Sequence, residues 1–119
     1  IADYSFIGEG RYDLAGYSVS SAGDVDGDGL SDILIGAHGN EDAGIQAGKS
    51  YLILGSSLGN DAIIDLSIAD YSFTGENPGE FAGQSVSSAG DVDGDGLSDI
   101  LIGAYYAEKV GLFKACPVQ

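Results

Sequence analysis

The chain writes one unit twice. Ile1 to Ala37 aligns with Ile68 to Ala104 at a fixed offset of 67 residues, without a gap, and 30 of 37 positions are identical. The run "SVSSAGDVDGDGLSDILIGA" at Ser18 returns unchanged at Ser85. A unit repeated in this way cannot bury its apolar face alone and must do so against a neighbour of the same kind. The repeats are expected to span residues 1–67 and 68–119. The second has a truncated or divergent end, where "YYAEKVGLFKACPVQ" stands in place of "HGNEDAGIQAGKSYLILG".

Within a unit the segments are short and rich in β-branched and aromatic residues. Gly, Asn and Asp punctuate them, and no helical period runs through them. Four strands are expected per unit: Tyr4–Ile7, Tyr17–Ala22, Asp32–Ala37 and Ser50–Leu54. The last two are nearly continuous apolar runs, which suits a sheet covered on both faces. An all-β fold of four-stranded antiparallel blades, as in a β-propeller, meets these demands; a β-solenoid or two-sheet sandwich meets them less well. Glycine and serine in "SVSSAG" suit a crowded inner strand. Tyr4, Phe6, Tyr71 and Phe73 recur at strand spacing and are expected to pack the blades.

Between the second and third strands lies "DVDGDGLSD", with four carboxylates on alternating positions, and the same nine letters return at Asp91. Like charges about 4 Å apart repel by roughly 1 kcal/mol in bulk water and by several times that at a protein surface. A hard cation among them removes that cost. Calcium takes six to eight oxygen ligands. Positions 1, 3, 5, 7 and 9 of a curled loop offer Asp24, Asp26, Asp28, the Leu30 carbonyl and Asp32. The second copy offers Asp91, Asp93, Asp95, the Leu97 carbonyl and Asp99. Two Ca2+ sites per chain are therefore expected. Magnesium is less suited to a cage of several carboxylates. An EF-hand or dockerin loop needs a carboxylate at position 12, where Ile35 and Ile102 stand.

Nineteen acidic against four basic side chains give a net charge of −15, which argues against nucleic acid and against an anionic membrane surface. No apolar run is long enough for a membrane-spanning helix, and no signal peptide is evident. Cys116 is the one cysteine, so no internal disulfide forms. Catalysis needs a nucleophile with a base, or a metal with an open position. His38 is the lone histidine and reads as a surface turn residue, so no enzyme activity is expected.

The stretches "AGYSVSSAGDVDGDGLSDILIGA" from Ala15 and "AGQSVSSAGDVDGDGLSDILIGA" from Ala82 resemble the FG-GAP repeats of integrin α-subunit propellers and their bacterial relatives. The signature Phe-Gly is here Ala15-Gly16 and Ala82-Gly83, with Leu14 and Phe81 one place earlier. The resemblance implies a propeller, usually of seven blades, with calcium held in the hairpin loop of each blade. It also implies that a blade takes its outermost strand from the next repeat, so that Tyr71–Phe73 closes the first blade. Tyr4–Phe6 then has no blade of its own, and the second blade lacks an outer strand. "KVGLFKA" is a candidate third strand for it. Two blades close no ring, so a homo-oligomer of three or four chains is expected, or else the remaining blades of a parent protein. The implied role is structural or adhesive binding of a protein or glycan ligand, outside the cell or at its surface. The alternative is a non-catalytic propeller portion of a larger extracellular enzyme or surface protein. Arg11, Tyr12, His38 and Asn40 are the non-repeating loop residues expected to be exposed for such binding, and Tyr17, Tyr105 and Tyr106 are further loop candidates.

Overall fold

Short β-branched runs set off by glycine and aspartate leave the backbone no option but extended segments with tight returns. A computed structural model describes residues 2–113, and its regular structure among them is all-β apart from three short 3-10 turns. The strands are β1 (Ser5–Ile7), β2 (Ser18–Gly23), β3 (Asp32–Ala37), β4 (Lys49–Ile53), β5 (Ile63–Asp65), β6 (Tyr71–Thr74), β7 (Ser85–Gly90), β8 (Asp99–Ala104) and β9 (Lys109–Phe113). Among the described residues no helix is long and apolar enough to cross a membrane. Cys116 lies outside them.

The first sheet runs β2-β3-β4-β6 and the second β7-β8-β9, all antiparallel. The outermost strand of the first sheet thus comes from the second repeat, where Leu52 pairs with Tyr71 and Ser50 with Phe73. The second sheet has three strands, and Lys109–Phe113 is its third, paired with β8 from Ala104 to Ile100. β1 does not stand alone: it runs parallel to β5, Ser5 opposite Ile63, a partner that a sequence pattern of three residues does not announce.

The identical segments give identical registers. Val19 faces Ile35 as Val86 faces Ile102, and a bulge before the last pair (Gly23–Asp32, Gly90–Asp99) ends each ladder. β3 and β4 are buried on both faces, as their unbroken apolar runs require. One apolar cluster fills the space between the sheets, with Ala22, Val25, Leu34 and Leu52 against Ile100 and Ile102. The other covers the far face of the first sheet, with Ile35, Tyr51, Ile53 and Leu66 under Phe6 of β1. Phe73 joins the first cluster and stacks at 4.7 Å on Phe113. Tyr4 anchors instead by its hydroxyl, which donates to the Gly59 carbonyl. Tyr71, expected to pack, stays exposed at the start of the edge strand β6.

The sheets approach closely where glycines lack a side chain, and Gly83 is one of them. Its φ is +90°, and a Cβ there would stand 2.5 Å from the Lys49 carbonyl oxygen.

Candidate metal centre

Each acidic loop joins two paired strands, so its first and last aspartates are brought together by the hairpin. Asp24 turns back over its own loop. Its Oδ1 accepts from the amides of Gly27 (2.8 Å) and Asp28 (3.2 Å), and its Oδ2 from Gly29 (2.8 Å). Gly27 and Gly29 take φ of +79° and +85°, which aims those amides inward. Asp91 repeats the pattern with Gly94, Asp95 and Gly96. Asp32 closes the loop from the buried end: its Oδ2 accepts from the Val25 amide and its Oδ1 from the Gly55 amide, both at 2.8 Å. Asp99 Oδ2 accepts from Val92 at 2.9 Å.

Carboxylate oxygens of Asp24, Asp26 and Asp32 lie within 4.8 Å of one another, and so do those of Asp91, Asp93 and Asp99. Asp28 and Asp95 stand outside these trios. Each caps the turn, accepting from the Leu30 and Leu97 amides respectively at 2.9 Å. Those same two leucines are the residues whose carbonyls the loop pattern assigns to the metal.

The loops set their carboxylates against one another electrically. Backbone donation, from Gly29 first, holds Asp24 below its ordinary value, and Gly96 does the same for Asp91. Asp26 moves the other way, pushed up by desolvation and then by its neighbours Asp24 and Asp32. Desolvation, then Asp95 and Asp99, push Asp93 up likewise. Two anions in each trio take short amide hydrogen bonds, while Asp26 and Asp93 accept from the Asp28 and Asp95 amides at the longer distance of 3.4 Å. Such a set of oxygens, with no nitrogen or sulfur among the donors, is of the kind that suits a hard cation bonded at about 2.3–2.6 Å to each.

At the opposite ends of the strands, away from the acidic loops, the expected exposed quartet divides. Arg11 and Tyr12 are exposed, and the Arg11 guanidinium lies 5.5 Å from the Tyr12 ring. Asn40 is buried, with its Nδ2 donating to Asp13 at 2.8 Å and its Oδ1 accepting from the Asp42 amide. His38 is buried too, at 7 % exposure, because the rings of Tyr17 and Phe81 close over it at 4.4 and 5.8 Å. It is no surface turn residue. Tyr17, Tyr105 and Tyr106 are exposed as expected, and the rings of Phe81, Tyr106 and Tyr105 continue the row. Sequence reading missed the charged knot below. Lys49 bridges Glu9 at 2.6 Å and Asp42 at 2.7 Å, while the Tyr51 hydroxyl donates to Glu9 at 2.6 Å. A groove of about 450 Å³ opens above it, lined by Glu9, Arg11, Tyr12, Asp13, Glu41 and Asp42 among others.

The FG-GAP repeat family model matches residues 15–53 and 82–111. Integrin alpha-PS5 of Drosophila melanogaster is 35% identical over 109 residues, covering 87% of this chain and 10% of the relative. Integrin alpha-V of Gallus gallus is 32% identical over 104 residues (87% and 10%), and integrin alpha-IIb of Homo sapiens 32% over 107 residues (90% and 10%). The chain spans about a tenth of the length of the curated relatives it matches. With its acidic hairpin loops, its borrowed outer strand and these matches, the chain belongs to the FG-GAP repeat family and is integrin α-like.

Proposed function

We propose that this chain is a calcium-binding β-propeller module with a structural or adhesive, non-catalytic role. The observation that carries the reading is the convergence of three carboxylates in each loop, twice over. Asp24, Asp26 and Asp32 would hold one ion and Asp91, Asp93 and Asp99 the other. Asp28 and Asp95 shape the turn and stand next in line as ligands, with the carbonyls of Leu30 and Leu97. Bound calcium supplies positive charge where Asp26 and Asp93 meet like charge. The site needs abundant calcium, which favours the cell exterior or surface over the calcium-poor cytosol.

Adhesive binding is assigned to the face opposite the metal loops. There the groove beside Arg11 and Tyr12 and the exposed tyrosines offer aromatic and acidic groups to a protein or glycan partner. Because the chain covers a tenth of its relatives, a second reading is the propeller portion of a larger extracellular enzyme or surface protein.

Isothermal titration with Ca2+ and with Mg2+ tests the metal reading. The expected result is two calcium sites per chain, one lost in Asp24→Ala and the other in Asp91→Ala, with weaker magnesium binding. Absence of calcium binding to the folded chain would overturn it.

A further inference from the structure

We infer that the edge of β9 left unpaired among the described residues is completed by β1 of a second copy of this chain, joining copies head to tail through the strand and acidic-loop part of the contact that joins the two sheets within one chain. The inference rests on reading the chain as a propeller module.

The first observation is which way the main chain points. The Gly75 amide donates to the Gly48 carbonyl at 2.9 Å. Hydrogen-bonded pairs alternate along an antiparallel ladder, so Phe73 and Tyr71 aim their main-chain groups at β4. Their counterparts in β1 are Phe6 and Tyr4. In β1 the Ser5 amide donates to Ala62 at 2.7 Å, so Ser5 and Ile7 face β5, while Phe6 and Tyr4 aim their groups outward. β1 therefore keeps β5 and still presents the edge that β6 uses.

The receiving edge matches. Lys109 pairs with Ala104 as Lys49 pairs with Ala37, so Val110 and Leu112 stand where Ser50 and Leu52 do. Even the residue before is conformationally alike: Glu108 has φ +54° and Gly48 has φ +89°. The register follows: Phe6 of the second copy opposite Val110, and Tyr4 opposite Leu112. β1 already lies on its own sheet as β6 lies on the next. Glu9, just after β1, reaches Lys49, and Glu76, just after β6, reaches Lys109.

The faces behind these edges are complementary halves of one contact. Val25 is 8 % exposed and its counterpart Val92 51 %, because only Val25 has a sheet packed on it. In the opposite sense Leu97 is 8 % exposed and Leu30 50 %. Within the chain Leu97 lies over Gly27, and Ser98 lies on Gly23, while Gly94 and Gly90 face open space. Copies placed head to tail set Leu30 over Gly94 and Ser31 on Gly90. The occupant is a second copy because the strand and acidic-loop residues of this contact, within Ser18–Ala37 and Ser85–Ala104, are identical in both halves, although the amide bonds of Gly79, Phe81 and Ala82 to the Ile45, Gln46 and Ala47 carbonyls have no counterpart at the shorter Tyr105–Glu108 turn.

Light scattering on the 119-residue chain in calcium tests this, with calcium titration run beside it. The expected mass is three or four times 12.1 kDa. Val19→Lys places a charge on the 65 %-exposed valine that faces the incoming copy, and Val110→Pro removes the amide offered to Phe6. Each should return the mass to 12.1 kDa with an unchanged β circular-dichroism spectrum. A chain that binds calcium yet stays at 12.1 kDa overturns the inference and puts further blades of a longer protein on the β9 edge. A larger mass that survives both substitutions overturns the register. Assembly without calcium binding overturns the metal reading and leaves this one standing.

Discussion

The Ser98 amide donates to the Asp24 carbonyl at 3.0 Å, so the second acidic loop is latched to the first residue of the first. A ligand that stiffens the Asp24 loop therefore stiffens the contact between sheets. Calcium should raise the thermal midpoint. The gain is roughly 2.7 kcal/mol per site at 100 times Kd, and chelation should reverse it. The double variant Asp24→Ala/Asp91→Ala should lose the calcium response in a calorimetric scan. Asp32→Ala should also cost about 1–3 kcal/mol without calcium, since it strands the Val25 and Gly55 amides.

Leu34 and Leu101 are the same residue of the two copies, but only Leu34 is sealed between sheets. Leu34→Ala should cost about 2–5 kcal/mol and Leu101→Ala clearly less, as read by urea unfolding of the single chain. Equal losses would mean that Leu101 is covered as well, which is the state expected after assembly.

Gly16 and Gly83 share a φ near +90° (89° and 90°), and an alanine at either pays the same left-handed strain of about 1–2 kcal/mol. They differ in surroundings: nothing lies near Gly16, whereas the Lys49 carbonyl oxygen crowds Gly83. Gly83→Ala should lower the melting temperature further than Gly16→Ala in the single chain. If copies assemble, Gly16→Ala should in addition lower the assembled mass.

His38 has its Nδ1 buried with no hydrogen-bond partner among the described residues, and burial holds its pKa below 6.5. The neutral ring is the one the fold accepts. Its contribution is complete above pH 6.5 and is lost as pH falls from there through the lowered native value. His38→Phe keeps the ring between Tyr17 and Phe81 and should flatten that part of the stability–pH curve, measured at constant saturating calcium. An unchanged slope would assign the pH dependence to carboxylates instead.

Much of this was legible because it is local. The β2–β3 hairpin and its acidic loop sit within twenty letters, and the letters carry their own geometry: alternating aspartates, glycines for positive φ, then an unbroken apolar strand. The second appearance of "DYSF" marked a strand, and it was the FG-GAP resemblance that implied its place as the outer strand of the preceding sheet. The rest depends on partners far apart in sequence. Glu9 meets Lys49 across 40 residues, and the parallel pairing of β1 with β5 spans nearly a whole repeat. The burial of His38 and Asn40 could not be read from loop composition, because it is imposed by Tyr17, Phe81 and Asp13 arriving from other segments. Asp28 and Asp95 fit the ligand spacing by period alone, yet their oxygens serve the turn before anything else.

The outer strand of the first sheet is drawn from beyond residue 67, so the piece of chain that is copied and the piece that folds are out of step by one strand. During synthesis the first sheet waits, with β4 unpaired on one side, until Thr74 has left the ribosome. A gene cut cleanly at the repeat boundary would deliver a sheet with a missing closure and a spare strand at its head. Duplicating the repeat hands each new copy a clasp that fastens its predecessor, so growth by duplication and fastening of the product are a single event.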